Sequence, residues 1–207
     1  MKIALHRSST RRRITVAARV ALATGGGVNQ RLVSDVCEQV GLHPHAFRSL
    51  FPTDDVLLDA VNELLVEECA ERLRGGVSAF APTGGDSGCA EAALALARSW
   101  PLDRSAMIIR ADRRFRALHR GEGDRTVTAA ERRFVEVLTS VFDLLLLKLD
   151  RTFSWNPTLA VRVILDTWER SFEAWLLDGH TESTFSQSPY IARTLPALLE
   201  QVSEPTS

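Results

Sequence analysis

The sequence contains few of the residues on which disulfides, metal sites and catalytic centres depend. Only three cysteines occur in 207 residues, and Cys37, Cys69 and Cys89 lack the close CxxC spacing of zinc or redox sites. Buried reduced thiols are therefore the simpler interpretation. Five histidines are present, but none forms an HExxH pattern and no nucleophile motif accompanies them. We predict no catalytic residue, no metal site and no cofactor, and we do not expect an enzyme.

Long apolar stretches are also missing. The four leucines at 144–147 are bounded by Asp143 and Lys148, whereas a helix needs roughly 20 apolar residues to cross a bilayer. Basic residues near the N-terminus have no apolar run behind them, so no secretory signal is predicted. A basic first helix lying on a membrane is an alternative, but its apolar positions are mostly alanine. The sequence predicts a cytoplasmic protein without a membrane partner.

Helical segments account for most of what is present. The 12 glycines and eight prolines collect between segments rich in Ala, Leu, Arg and Glu, in which apolar residues recur at helical spacing. We predict an all-α protein of about nine helices, with a loose arm, Met1–Thr10, before the first. Gly75-Gly76 begins a flexible connection, and Pro196 kinks the last helix or marks its first turn. From the fourth helix onward, the predicted ranges are 54–74, 87–99, 102–119, 128–153, 157–178 and 189–202.

The most informative pattern runs from Leu32 to Leu58. Four apolar residues at i, i+3, i+4 and i+7 predict a short amphipathic helix, which Gly41 ends through the positive φ common at helix ends. His43 can then cap a second helix whose first position is Pro44. Helix, glycine-containing turn and helix, with an outward-facing basic residue on the second, is the pattern of a helix-turn-helix DNA reader. The four apolar residues are Val33, Val36, Cys37 and Val40.

The segment 12–58 resembles the DNA-binding domain of the TetR family of bacterial transcriptional regulators. The residues that carry the resemblance are Ile14, Ala17, Ala18, Leu22, Asp35-Val36-Cys37, Val40-Gly41-Leu42, Phe51-Pro52 and Leu57-Leu58. The resemblance implies a DNA-binding domain over 1–53 and a helical effector-binding and dimerisation domain over 54–207.

Seven positions depart from the family pattern. His43, His45 and Ala46 replace small polar, Gly or Thr residues at the start of the recognition helix, and Leu50 stands at an aromatic position. Leu32 stands where a capping Thr is usual, so Asn29 or Gln30 is expected to cap that helix. Arg48 replaces a Tyr that reaches a phosphate, and a charged contact is stronger than a neutral one. Asp54 replaces a phosphate-contacting Lys; it suits the helix dipole but repels a phosphate.

Charge is distributed unevenly along the chain. Residues 1–53 carry eight Lys or Arg against two acidic residues, whereas the whole chain has 25 basic and 26 acidic residues. A basic head of this kind suits phosphate contacts, although a basic tail with no partner would look the same. An arginine run between 104 and 120 is either a second nucleic-acid surface or a solvated helix face. The predicted DNA-binding residues are Arg11, Arg12, Arg13, Arg31, His43, His45, Arg48 and Ser49.

Two further sets of residues follow from the resemblance. The first set would line a pocket for a small hydrophobic or amphipathic effector, and it fits a dry core equally well. It comprises Leu65, Cys69, Met107, Phe134, Leu138, Phe142 and Trp168. The second set would pair the last two helices with those of a second chain, and it too could be core. It comprises Val161, Leu165, Phe172, Trp175, Ile191, Leu195 and Leu198.

The resemblance thus implies a ligand-responsive transcriptional regulator. Its partners would be a double-stranded palindromic DNA operator, which it binds as a homodimer, and an effector that releases it. We interpret this regulator as a repressor. The alternative is a TetR-like helical dimer without specific DNA binding that acts through protein contacts.

Overall fold

The computed structural model describes residues 2–23, 27–83, 87–100, 103–119 and 125–206, with side chains described from Ser8 to Thr206 except at 125–128. The sequence also predicts glycine-containing loops at 25–27, 81–85 and 121–124, and these lie wholly or partly outside the described ranges. Within them the fold is all-α, as the sequence predicts. The helices are α1 (Lys2–Ala23), α2 (Gln30–Val40), α3 (Pro44–Leu50), α4 (Asp54–Ala79), α5 (Gly88–Ser99), α6 (Arg104–His119), α7 (Arg125–Lys148), α8 (Pro157–Leu177) and α9 (Leu195–Gln201).

Four other short elements accompany the helices in the described ranges. A 3₁₀ segment covers Glu182–Gln187, and a π-helical turn covers Tyr190–Thr194 directly before α9. The strands β1 (Arg151–Phe153) and β2 (Ser203–Pro205) form an antiparallel two-stranded ribbon. None of the helices in the described ranges is long and apolar enough to cross a membrane.

The chain forms two compact units. The first contains Met1–Glu67 and Leu102–Ala130, and the second contains Glu68–Pro101 and Glu131–Ser207. The long helix α4 contributes residues to both. This division by packing differs from the functional division after residue 53, which stays a prediction.

The first unit is built on α1, which packs against α2 and α6. Its core side chains include Ile14, Ala18, Val36 and Phe47, all fully buried. The amide of Leu32 donates to Asn29 Oδ1 at 2.9 Å, so Asn29, one of the two predicted candidates, caps α2. An Asn side chain at this position satisfies an amide that has no partner within the helix.

The start of α1 corrects the sequence-based prediction. The arm predicted over Met1–Thr10 is helical from Lys2 onward, so Ser8, Ser9 and Thr10 lie inside the helix and do not cap it. No Gly or Pro interrupts the segment from Lys2 to Ala23, which is rich in Ala, Leu and Arg. Such residues propagate a helix readily, and the three hydroxyl residues cost little within it.

The second unit also differs from prediction at Gly75-Gly76. Both glycines lie inside α4, which continues to Ala79 instead of ending at Arg74. A Cβ on Gly76 would overlap Ser99 Oγ on α5. Gly76 is therefore a site of close helix packing, and the prediction of a flexible connection at this pair was wrong.

The end of α7 also differs from the sequence-based prediction, which placed it at residue 153. The helix ends at Lys148, and Asp150 adopts a φ of 53° just beyond it. The expected last turn is instead β1, whose Thr152 lies opposite Glu204 of β2. Arg151 stabilises the ribbon, because its Nε donates to Ser203 Oγ at 2.7 Å and its Nη2 donates to Ser203 O at 2.6 Å.

The last predicted helix, 189–202, is also divided. Its first part is the π-helical turn, and α9 begins only at Leu195. Pro196 lies in the first turn of α9, one of the two places expected for it, because a helix needs no amide donor there.

Aromatic side chains form the centre of the second unit. Trp168 of α8 stacks on Trp100 with a ring-centroid distance of 4.3 Å, and it meets Phe185 and Tyr190 edge-on at 5.4 and 5.8 Å. Phe142 of α7 joins this cluster through Trp100 at 6.5 Å. Edge-to-face and offset contacts of this kind add to the free energy of burial.

Candidate nucleic-acid interface

The turn between α2 and α3 has the geometry that the sequence predicts. Gly41 adopts a φ of 68°, and its amide and that of Leu42 donate to carbonyls of the last turn of α2. His43 then caps α3, because its Nδ1 accepts from the amide of His45 at 3.2 Å, and Pro44 occupies the first helical turn. These contacts fix α3 at a defined angle to α2.

One face of α3 is buried and the opposite face is open. Phe47 and Phe51 are fully buried, with ring centroids 5.6 Å apart. The structure therefore brings His43, His45, Arg48 and Ser49, four of the predicted DNA-binding residues, to the exposed side. Ser49 Oγ donates to Ala46 O at 2.8 Å, which keeps its side chain close to the helix.

Arg48 has a partner that the sequence pattern did not indicate. Its Nη1 lies 3.1 Å from Oδ1 of Asp54, the first residue of α4, and the two side chains are 46% and 41% exposed. Its guanidinium carbon also lies 5.8 Å from the centre of the Phe47 ring. Asp54 thus holds the guanidinium beside α3, in addition to placing a negative charge near the proposed DNA face.

Two of the arginines predicted to bind DNA form contacts within the protein itself. Arg11 Nη1 donates to Leu50 O at 3.2 Å, and its guanidinium lies 4.7 Å from the centre of the Phe51 ring. Arg13 Nη2 donates to Val40 O at 3.0 Å. Both arginines reach from α1 to the C-terminal carbonyls of another helix, where a cation is favoured.

The other two basic residues point outward. Arg12 lies 3.8 Å from Glu67 with side chains 68% and 60% exposed, and Arg31 lies 3.9 Å from Asp35. Ion pairs this long and exposed are weak, so a phosphate could displace either acid. Contact of all these arginines with DNA stays a prediction.

The arginine run of α6 is partly internal to the first unit. Arg110 and Arg113 are buried, and Arg113 forms an ion pair with Asp59 of α4. Arg116 pairs with Asp112 at 2.8 Å, whereas Arg104 is exposed. Arg110 and Arg113 are therefore unavailable to a second basic surface; Arg120 lies outside the described residues.

The thiol of Cys37 lies behind the helix-turn-helix face. Burial raises its pKa, and the guanidinium of Arg48 offsets part of that rise. Cys37, Cys69 and Cys89 are buried and form no disulfide. Among the described residues, no group of three or more His, Cys, Asp or Glu is placed to hold a metal ion.

The predicted effector residues belong to both compact units. Leu65 and Met107 lie in the first, where Leu65 is buried and Met107 is half-buried. The others are buried in the second, where Phe142 and Trp168 meet through Trp100, which the sequence did not single out. Trp100 Nε1 is buried without a hydrogen-bond partner among the described residues. Burial of this kind fits a pocket lining and a dry core alike. The remaining buried members are Cys69, Phe134 and Leu138.

The predicted dimer residues lie mostly inside one chain. Phe172 packs on Phe185 at 4.9 Å, and Trp175 stacks on His180 at 3.8 Å while donating to Thr181 O at 3.1 Å. Trp175 and Leu198 are half-buried. Contact of this set with a second chain stays a prediction. Its fully enclosed members are Val161, Leu165, Phe172, Ile191 and Leu195.

Comparison with known proteins gives a structural match. No protein-family model matches the sequence, and no curated protein matches it either. The structure of Salmonella enterica GusR superposes with a TM-score of 0.59 at 18% sequence identity, covering 93% of this chain and 94% of that chain. The fold is TetR-like. In this TetR-like fold, α2 and α3 are the helix-turn-helix. Identity this low shows the fold and leaves the function to be argued from the site.

Proposed function

We propose that this protein is a ligand-responsive transcriptional repressor that binds a palindromic DNA operator as a homodimer. A small hydrophobic or amphipathic effector would release it from the operator. The likeness of the fold to that of Salmonella enterica GusR supports the assignment to TetR-type regulators. The residue-level argument rests on the helix-turn-helix.

The observation that carries this proposal is the open face of α3. Phe47 holds one side of the helix in the core, while His45, Arg48 and Ser49 remain exposed on the other side. A recognition helix reads base edges in the major groove through three or four such side chains. Arg48 bonded to both acceptors of a guanine edge would contribute about 1–3 kcal/mol of discrimination, and Arg12 and Arg31 would bind phosphates.

A homodimer follows from the limited reach of one recognition helix. A single helix-turn-helix contacts only a few base pairs, so two-fold symmetric proteins bind two half-sites about one helical turn apart. The proposed operator is therefore a palindrome. The C-terminal domain would supply the pairing surface.

Effector release is proposed to act through α4. This helix begins directly after the helix-turn-helix, at Asp54, and continues to Ala79. A ligand bound in the C-terminal domain would shift α4, alter the spacing of the two DNA-binding heads and so weaken operator binding. Linkage requires that the operator weaken ligand binding by the same factor.

A second candidate function is favoured by the ion pair at α3. Arg48 already has a partner in Asp54, and Ala46 offers no polar group to DNA. A TetR-like helical dimer that acts through protein contacts, without specific DNA binding, would tolerate both features.

Selection from a randomised duplex library, followed by a salt-titrated gel shift, tests the proposal. We expect wild-type protein to enrich a palindrome and to bind it more tightly than random DNA, with affinity falling steeply as salt rises. Arg48→Ala should weaken operator binding roughly tenfold or more. Arg98→Ala removes a charge from an exposed position of α5 and should not. Enrichment of no sequence by the wild-type protein would favour the second candidate.

A further inference from the structure

Helix α6 is inverted, because it buries charged side chains and exposes apolar ones. Arg110 and Arg113 are buried on its inner side. Ile108, Phe115 and Leu118 are exposed to 39%, 59% and 80%. No other helix in the described ranges exposes three large apolar side chains. Buried charges and grouped, exposed apolar side chains are each uncommon in a folded domain, so the outer face of α6 is not an ordinary solvated face.

Five exposed residues of α6 follow the spacing of a coiled-coil seam. They recur at intervals of four, three, four and three residues, which places them along one side of the helix over about 21 Å at 1.5 Å per residue. All but the first are apolar. A surface with this spacing fits a second helix, whose side chains insert between those of the first. We call these residues the α6 seam: Arg104, Ile108, Ala111, Phe115 and Leu118.

The charge on the α6 seam is basic and has no acidic partner within the described part of the chain. Arg104, the first residue of α6, takes part in none of the ion pairs found there. The helix dipole makes a cation unfavourable in this first turn. The neighbouring carboxylate of Asp103 already pairs with Arg19 at 3.0 Å. The one acidic residue within α6, Asp112, pairs with Arg116 at 2.8 Å. A partner that carries acidic side chains would therefore complement the α6 seam.

We propose that the α6 seam is a docking surface for an acidic amphipathic helix of another protein. Apolar residues of that helix would pack along the α6 seam, and a carboxylate near one end would pair with Arg104. The alternating spacing of four and three residues favours a helix, because binding to a membrane surface requires no such register. A second copy of α6 would bring no acid to Arg104, because the α6 seam itself contains none. This inference goes beyond the proposed DNA function and requires neither DNA nor an effector.

Fluorescence anisotropy of the full-length chain with two labelled synthetic helices tests the docking surface. Both peptides consist of three heptads with Leu at positions a and d. One peptide carries Glu at positions e and g, and the other carries Lys there. Like charges at these positions keep either peptide from pairing with itself. We expect the wild-type chain to bind the Glu peptide at least about tenfold more tightly than the Lys peptide.

Loss of an apolar side chain from the α6 seam should weaken this binding. Phe115→Ser and Leu118→Ser should each lower affinity for the Glu peptide at least about tenfold, because large apolar anchors dominate an interface. The matched control, Leu147→Ser, removes an exposed leucine from α7 and should leave binding unchanged. Because all three side chains are exposed, the variants should unfold at the temperature of the wild type, which separates lost binding from lost folding.

Charge reversal tests the acidic character of the partner. Arg104→Glu should reduce the preference for the Glu peptide over the Lys peptide at least about threefold at low salt, because it places like charges together. Arg98→Glu makes the same change at an exposed position of α5 and should leave the preference unchanged.

Several results would overturn the docking surface. Failure of the wild-type chain to bind the Glu peptide is one, and equal affinity for the two peptides is another. A dimer that Phe115→Ser dissociates in sedimentation would assign the α6 seam to a second copy instead. Binding to phosphatidylglycerol vesicles that Phe115→Ser abolishes, without binding of either peptide, would assign it to a membrane surface. Operator selection is a separate measurement, so the proposed DNA function can stand or fail independently.

Discussion

At the scale of single residues, Arg48 determines how the proposed interface behaves. It lies on the exposed side of α3 and is held by Asp54 at 3.1 Å. An exposed pair of this kind contributes only about 0–1 kcal/mol to folding. Its larger effect is expected on DNA binding, because a phosphate or base must replace the carboxylate as the partner of Arg48.

Replacing Asp54 should therefore strengthen DNA binding. Asp54→Asn frees the guanidinium and removes a negative charge beside the DNA, so we expect affinity at low salt to rise roughly threefold to tenfold. Asp54→Lys should raise it further. Gel shifts measure both. The control is Glu63→Gln, which makes the same change of net charge as Asp54→Asn at an exposed position further along α4. An equal gain in DNA affinity with this variant would mean that the effect arises from net charge alone.

Tyr190 gives a prediction about alkaline stability. Burial raises its pKa to about 12, while its hydrogen bond with Thr167 Oγ1 at 3.1 Å partly opposes the rise. The folded state therefore keeps this proton after the unfolded state, with a pKa of about 10, has lost it. The raised pKa of Tyr190 contributes roughly 2–3 kcal/mol to the free energy of unfolding. This contribution is fully present below about pH 10 and is lost as the pH rises through about 12.

Tyr190→Phe should remove this pH dependence. The variant loses the hydroxyl contacts and should be about 1 kcal/mol less stable near neutral pH. Between about pH 9 and 11.5 its stability should fall less than that of the wild type, since no phenol must remain protonated. Urea unfolding across this range measures the difference. Parallel curves would mean that the hydroxyl ionises normally in the folded state.

Local side-chain roles were predictable from sequence only where the partner is near in the chain. Asn29, Gly41 and His43 all act within three or four residues, and capping preferences identify them. Arg11 bonds a carbonyl 39 residues away and Arg13 one 27 residues away. Those bonds depend on how α1 packs, which no local pattern records, so the sequence assigned both arginines only to DNA.

At the scale of helices and strands, the glycine pair in α4 offers a matched comparison. Among the described residues, no atom lies within 4 Å of the place a Cβ would take at Gly75, whereas a Cβ at Gly76 would overlap Ser99 of α5. Gly75→Ala should stabilise the protein by about 0.5–1 kcal/mol, because alanine favours a helix over glycine. Gly76→Ala should destabilise it by about 1–3 kcal/mol through overpacking.

Thermal or urea unfolding distinguishes the two substitutions. Opposite signs at adjacent residues would show that α4 is a continuous helix packed on α5. Two stabilising substitutions would mean that α5 yields easily at Ser99. Two neutral ones would restore the flexible connection expected from the sequence.

Element boundaries were hardest to predict where distant segments meet. Helical spacing continues from α7 toward Phe153, yet residues 151–153 pair with 203–205 instead. Nothing within either three-residue strand specifies the other. On α8, apolar residues on more than one face predicted a second chain. Phe185 and Tyr190, which lie outside α8, cover Trp168 in the same chain, so part of that apolar surface is already buried within one protomer.

At the scale of the whole molecule, dimerisation and DNA binding should be coupled. A monomer can occupy one half-site at a time, so the protein should bind a full palindrome at least about tenfold more tightly than an isolated half-site. Fluorescence anisotropy with full-site and half-site duplexes measures both. Equal affinity for the two duplexes would contradict binding as a dimer.

Fold class was more predictable from sequence than individual contacts were. Helical periodicity and the 12–58 resemblance indicated an all-α, TetR-like architecture, because those signals are spread over many residues. Individual contacts such as the stacking of Trp168 on Trp100 were not predictable in the same way, since they depend on how distant helices pack.

The ribbon of β1 and β2 has a practical consequence for protein engineering. Besides the bonds from Arg151, the amide of Ser154 donates to Val202 O at 2.9 Å and that of Thr206 to Asp150 O at 2.8 Å. Truncation of the chain after Gln201 would remove both Ser203 oxygens that accept hydrogen bonds from Arg151 and would leave β1 without its partner strand. Affinity tags are thus best joined through a generous spacer beyond Thr206, and a clipped preparation should melt at a lower temperature than an intact one.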